Sequence, residues 1–161
     1  MQNPSVLYHA SNNAELKIIE PRAISRRDEK EGKVVFATPD RAFATCFIVK
    51  TDDSWTASGF INGRPFMLIG DKERFLDADK GGAVYALPIS NFTCDINKGL
   101  GKNEWTAVVP IRPLSKQVFA SGLNAMLENG IVVYFIDEAG LRAFRASADK
   151  HEYLKKLNNA N

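Results

Sequence analysis

Short β-type runs and stretches of helical periodicity follow one another along the chain, separated by charged or turn-forming breaks. Val6-Leu7-Tyr8 is a β-type run that brings His9 to a strand end before the turn formers Ala10-Ser11-Asn12-Asn13. Residues 16–21 are semi-apolar, and the densely charged residues 22–33, without periodic apolar positions, read as a solvated loop and a candidate lid. Val34-Val35-Phe36-Ala37 is a second β run. In the following Thr38-Pro39-Asp40, Thr38 suits a helix N-cap and Pro39 the first helical position. Ala42, Phe43, Cys46, Phe47 and Val49 recur at spacings of three and four, which predicts an amphipathic helix over residues 39–49.

After a polar break at residues 51–58, strands are predicted at residues 64–69 and 83–87, separated by a turn-rich segment over residues 71–82. Residues 105–111 form a further β run, and residues 118–120 continue it beyond an irregularity at Pro113. Ser121 suits the N-cap of a helix with Leu123, Met126 and Leu127 on one face and Gly130 as its C′ residue. Residues 131–136 read as a buried strand. From Asp137 onward the composition is helical, with Leu141, Phe144, Tyr153, Leu154 and Leu157 apolar and residues 158–161 fraying. Strands that do not alternate regularly with helices predict an α+β fold rather than a doubly wound parallel sheet. With no internal repeat and no linker, residues 1–161 are expected to form a single domain.

Composition narrows the function. The 161 residues are 45% hydrophobic and 25% charged, with 21 basic against 19 acidic side chains, a net charge of +2. That balance argues against the broad basic face needed for nucleic acid or anionic lipid. Apolar runs fall far short of the roughly 20 residues that span a bilayer, and the polar start Met1-Gln2-Asn3-Pro4 lacks a secretory pattern, so no membrane association and a cytoplasmic location are expected. Cys46 and Cys94 form no Cys-x-x-Cys pair and have only His9 and His151 as possible co-ligands, so no metal site is expected and both are read as buried thiols. Neither a glycine-rich phosphate loop nor a Gly-x-Ser-x-Gly elbow is present.

Three patterns carry chemistry together: Leu7-Tyr8-His9-Ala10-Ser11, then Val34-Val35-Phe36-Ala37-Thr38 leading into a helix with Ala42 and Phe43, then Asn103-Glu104-Trp105-Thr106-Ala107-Val108-Val109. In that order they resemble the ADP-ribosyltransferase fold, most nearly its diphtheria-toxin and poly(ADP-ribose) polymerase branch. The resemblance implies split, mostly antiparallel β-sheets with flanking helices and an NAD-binding cleft between two sheets. It implies that His9 hydrogen-bonds the adenosine-side ribose, that Ser11 helps hold the nicotinamide amide, and that Tyr8, Phe36, Phe43 and Phe47 lie along the NAD site. Glu104 would be the catalytic carboxylate, with NAD as substrate and ADP-ribose passed to a protein, nucleic acid or small molecule. A fixed carboxylate suits that chemistry, because loss of nicotinamide builds positive charge on the ribose.

The chain departs from the family at Ala10, where glycine is usual, and in offering Phe43 and Phe47 where a helix tyrosine is usual. Two alternatives therefore stand: a non-catalytic nucleotide- or protein-binding module of the same fold, and an RNA 2′-phosphotransferase-like enzyme using Arg22, Arg26, Arg27 and Arg41 around a phosphate. Plainer readings stand beside these. Glu104 is then a solvated strand-edge charge, Phe43 and Phe47 are core residues, Trp55 and Trp105 are packing residues, and Arg26-Arg27 belong to a solvated loop.

Overall fold

A computed structural model describes residues 3–159. Its ten strands form three open sheets. β1 (Val6–Ser11), β6 (Gly82–Pro88) and β9 (Ser115–Phe119) pair antiparallel in the order β1-β6-β9. β2 (Ala23–Ile24), β3 (Lys33–Ala37), β7 (Thr93–Cys94) and β8 (Trp105–Ala107) form the order β2-β3-β8-β7. β4 (Thr56–Ile61), β5 (Arg64–Ile69) and β10 (Val132–Phe135) form the order β10-β5-β4, with β10 parallel to β5. With five helices, α1 (Arg41–Ala44), α2 (Lys72–Ala78), α3 (Gly122–Glu128), α4 (Glu138–Ala146) and α5 (Lys150–Asn159), the architecture is α+β with mostly antiparallel sheets. No helix among the described residues is long and apolar enough to cross a membrane.

Alternation along the strands decides where each core lies. On β5, Met67 and Ile69 face Phe43, Phe75 and Met126, while Phe66 and Leu68 face Leu141, Phe144 and Leu154 of the C-terminal helices. β5 is thus buried on both faces. On β1 and β6, Leu7, Ala83, Tyr85 and Leu87 join Val35, Ala37 and Ala107 in a second core, and Ala10 and Val84 on the other face meet Ala44, Ile48 and Ala125.

Each helix opens on a side chain that accepts a backbone N–H: Asp40 from Phe43 (2.8 Å), Asp71 from Arg74 (2.9 Å), Ser121 from Asn124 (3.1 Å), Asp137 from Gly140 (2.6 Å) and Asp149 from Glu152 (3.0 Å). This moves the first helix start from Thr38 to Asp40. Thr38 exchanges both backbone hydrogen bonds with Tyr8 (2.8 and 2.9 Å), and its hydroxyl accepts the Asp40 N–H, so it ends a strand instead of capping a helix. The predicted helix over residues 39–49 is one α turn followed by a 3-10 turn, Thr45–Phe47.

Other expectations change as well. The turn-rich segment at residues 71–82 holds α2, which buries Phe75 alone; burial of one such ring contributes about 1.5–3 kcal/mol, enough to dock so short a helix. The polar break at residues 51–58 ends in β4, joined to β5 by a two-residue hairpin at Asn62 (φ 50°) and Gly63 (φ 74°), where both central residues need positive φ and Asn-Gly supplies it. Residues 105–111 yield only the three-residue β8. Val118 and Phe119 belong instead to β9, which pairs with β6, and Ala120 lies just beyond it. β10 is an edge strand with Val132 and Phe135 exposed, and Leu127 leaves its predicted helix face to stand 55% exposed. Gly130, at φ 77°, follows α3 as expected. Trp55 is buried against Phe75 with the Arg74 guanidinium over its ring, while Trp105 is half-buried and donates its indole N–H to the Lys102 carbonyl. Cys46 is buried, but Cys94 is only half-buried. Of the tail read as fraying, Asn158 and Asn159 complete α5; residues 160 and 161 lie outside the described residues, as do Met1 and Gln2.

One carboxylate ties two distant segments together. Asp79, just after α2, accepts from the Ser121 hydroxyl (2.8 Å) and the Gly122 (2.7 Å) and Leu123 (2.9 Å) N–H groups at the start of α3, and from Gly81 N–H (3.1 Å). Desolvation pushes its pKa up, but these donors outweigh it and hold the carboxyl below the ordinary aspartate value. We expect Asp79→Ala to lower unfolding stability by about 1–3 kcal/mol at neutral pH. Because the folded pKa is depressed, the wild-type advantage is present above the unfolded value of about 3.9 and lost as pH falls through the folded value. Denaturant melts of both proteins from pH 7 to pH 2 check this, with the two curves converging only at the acid end.

Candidate functional site

β3 is the hinge between sheets. β8 pairs along one edge, with Val35 opposite Ala107, Phe36 opposite Thr106 and Ala37 opposite Trp105, and β2 pairs with the start of the other edge. Thr38 directs its N–H and C=O to Tyr8, so Phe36, two residues earlier in the ladder, points its carbonyl to that same edge between β2 and β1. The His9 ring fills the gap: Nδ1 lies 2.7 Å from the Phe36 oxygen and must carry the proton, since a carbonyl only accepts. Burial pushes the His9 pKa below its ordinary value, against the smaller raising effect of that hydrogen bond, so the ring is neutral at pH 7.

Continuing the β3–β8 register by one step places Glu104 beside Thr38, on the face that carries Phe36 and Thr106. Glu104 is only 8% exposed. It follows the 3-10 turn Gly101–Asn103, and its Oε2 accepts the Leu100 N–H at 2.8 Å. Its Oε1 has no hydrogen-bond partner among the described residues. The preceding turn requires glycine at position 99 on two counts. Its φ is +54°, and a Cβ there would overlap the Glu104 carboxylate.

Beside Glu104 lies a half-buried ion pair. The Arg27 side chain is 2% exposed and meets Glu31 at 2.5 Å. Its remaining donors reach the Thr93 carbonyl (3.2 Å) and hydroxyl (3.1 Å), the Thr106 hydroxyl (2.6 Å) and the Glu104 carbonyl (3.2 Å). Glu31 also accepts from Ser25 (2.6 Å) and Thr106 (3.1 Å). Hydrogen bonding to Glu31 raises the Arg27 pKa further, and Arg27 in turn holds the Glu31 carboxyl below the usual range against the opposing effect of desolvation. Residues 22–33 are thus solvated only in part: Arg22, Arg26, Glu29, Lys30 and Lys33 stay exposed, while Ser25, Arg27 and Glu31 turn inward and form a wall.

That wall bounds a cavity of about 670 Å³ between two sheets. One side is built from Ser25, Arg27, Val34, Phe36, Glu104 and Thr106. The other is built from Thr56, Ser58 and Met67 of β4 and β5, with Cys46 and Phe47 between them. Arg26, Asp52, Asp53 and Arg145 are the other charged residues of the lining. Phe47 stacks edge-on against Phe36 (5.2 Å between centroids) and Phe43 (5.1 Å). Burial, with Asp40 nearby, pushes the Cys46 thiol up to about 12, so it is an inert part of the wall.

Of the residues singled out from sequence, Glu104, Phe36 and Phe47 meet in this cavity. Phe43 lies behind Phe47, fully buried, and does not line it. Tyr8 shares its face of β1 with Ala10 and packs against the core below α1. His9 and Ser11 alternate onto the opposite face of β1, where they pair in register with Tyr85 and Ala83, and the structure does not bring them into the cavity. Among the arginines considered for phosphate, Arg27 is saturated, Arg26 pairs with Asp53 across the cavity mouth, Arg41 is tied to Asn129 and Gln117, and Arg22 is exposed away from the lining. Glu31, Thr106, Ser58 and Arg145 were missed. Glu31 stands four residues after Arg27, a helix-type ion-pair spacing, and is the one of these that sequence could have flagged. No family model matches the chain, and neither does any curated protein or solved structure.

Removing one member of this pair leaves the other charge without its partner. Glu31→Gln is expected to cost about 1–3 kcal/mol in urea unfolding, while the double variant Arg27→Met/Glu31→Leu recovers much of the loss. A double variant as unstable as Glu31→Gln would show that the network matters for its hydrogen bonds rather than its charges.

Proposed function

We propose that the chain is an NAD-dependent ADP-ribosyltransferase-like enzyme with an ADP-ribosyltransferase-type split of its sheets, and that Glu104 is its catalytic carboxylate. The observation that carries this reading is the state of Glu104. It is withdrawn from solvent, one oxygen is fixed by a backbone N–H, and the other is unpaired at a cavity with an aromatic wall. A carboxylate so held keeps one oxygen open to the cavity and is oriented before any ligand arrives.

In this mechanism the nicotinamide ring lies against Phe36 and Phe47. The bond between the ring nitrogen and ribose C1′ breaks, and nicotinamide leaves neutral with the bonding pair. The positive charge left on C1′ and the ring oxygen is stabilised by Glu104 Oε1. An acceptor hydroxyl, amine or water then bonds to C1′ and passes its proton to Glu104. Retention of Oε2 by Leu100 keeps the carboxylate aimed at the ribose throughout. His9 acts at a distance, by fixing the Phe36 carbonyl and with it the aromatic wall.

A second reading, a non-catalytic module that binds a nucleotide in the same cavity, is favoured by the position of His9 and Ser11 outside it. Nicotinamide release from NAD separates the two. The wild type is expected to release nicotinamide, and Glu104→Gln to lower kcat by at least about 100-fold with NAD binding retained. NAD binding without release would favour the module, and neither binding nor release would end both readings.

A further inference from the structure

The charges around the cavity are not equivalent. Of its three cations, Arg27 spends all its N–H groups on Glu31, Thr93, Thr106 and the Glu104 carbonyl. Arg26 is paired with Asp53. Arg145, in the last turn of α4, donates through Nη2 alone, to the backbone oxygens of Asp53 and Thr56 (2.9 Å to Thr56). Its Nη1 and Nε have no partner, and no carboxylate lies within ion-pair distance of it among the described residues. On the anionic side, Asp53 is held by Arg26, and Asp52 accepts from the Ser54 N–H (2.8 Å) and hydroxyl, contacts that keep its carboxyl below the usual range. Besides the exposed Asp52, which no cation pairs among the described residues, the cavity therefore carries one buried carboxylate without a cation, Glu104 on the β3–β8 wall, and one guanidinium without a carboxylate, Arg145 beside the start of β4.

Two opposite, unmatched charges on facing walls suit a ligand that is cationic at one end and anionic at the other. The Arg145 end also offers the Ser58 hydroxyl, which lines the cavity without a hydrogen-bond partner among the described residues. Close by, Arg26 and Asp53 have side chains 67% and 70% exposed, and an ion pair so open to water is held weakly. A phosphate group, with more acceptor oxygens and more charge than one carboxylate, competes well for both guanidinium groups.

We propose that Arg145, with Ser58 and with Arg26 released from Asp53, forms the subsite for the phosphate groups of the cavity's nucleotide ligand. Asp53 then serves as an internal competitor that the ligand displaces. The subsite deepens the NAD reading and rests on it for the identity of the ligand, but it makes no use of Glu104 or of bond cleavage.

The test is calorimetric titration with ADP-ribose, which carries the diphosphate and lacks nicotinamide. Arg145→Gln is expected to weaken ADP-ribose binding about tenfold or more and to flatten its salt dependence. Asp53→Asn is expected to tighten binding several-fold, since it removes the competitor and leaves Arg145 anchored through backbone oxygens. Thermal unfolding of each variant shows whether it is folded. If Arg145→Gln does not fold, Asp53→Asn decides alone. Equal affinity of wild type and folded Arg145→Gln, unchanged or weaker binding by Asp53→Asn, or no ADP-ribose binding by the wild type would each overturn the proposal. Arg145-dependent binding in a protein that releases no nicotinamide would uphold the subsite and remove the catalytic reading, whereas NAD cleavage indifferent to Arg145 and Asp53 would do the reverse.

Discussion

A guanidinium withdrawn from water must find a partner for every N–H, and Arg27 finds its partners on four separate segments. Glu31 lies on its own loop, Thr93 on β7, Thr106 on β8, and the Glu104 carbonyl at the entrance to β8. The loop, both strands and the turn before Glu104 are therefore held in one arrangement by a single side chain. Any shift of β8 relative to residues 25–31 breaks a charge-assisted hydrogen bond of a side chain that is itself only 2% exposed. The cavity wall inherits this rigidity, and so does the carboxylate at its centre.

The electrostatics of the site follow from that saturation. Arg27 is the nearest cation to Glu104, but Glu31 neutralises it, so Glu104 keeps an unpaired oxygen instead of closing an ion pair. The glycine at position 99 allows the chain to turn tightly enough for the Leu100 N–H to reach the other oxygen. Across the cavity the same accounting leaves Arg145 without a carboxylate, because Asp52 and Asp53, which line the cavity with it, are engaged by their own turn and by Arg26. Arg145 stays exposed, but Glu104 is withdrawn from bulk water without a cation, which folding alone does not favour because desolvating a carboxylate is costly. That cost is the physical reason for placing the functional site here rather than at His9, whose ring is neutral and tied to a strand edge.

What the sequence by itself determined was local and short-ranged. The apolar β-type runs Val34-Val35-Phe36-Ala37 and residues 64–69, the Ser121 cap with Gly130 beyond its helix, and the helical C-terminal segment all depend on contacts within a few residues, where side-chain period and backbone preference act directly. Asp71 and the Asn62-Gly63 pair carried the same kind of signal, but around them charged and polar residues outnumber the single buried Phe75 and the weakly apolar β4, so α2 and β4 were not legible from pattern. Glu104 stood out as a carboxylate at the head of a strand, though its burial did not. Only the tertiary structure decided that Arg27 turns inward, that β1 presents Tyr8 and Ala10 rather than His9 and Ser11 to the core below α1, and that Arg145 from the last turn of α4 reaches a cavity built by β3, β4 and β8. Those outcomes depend on sheet register and on partners up to 92 residues apart, and no local propensity encodes which of two strand faces a distant segment will cover.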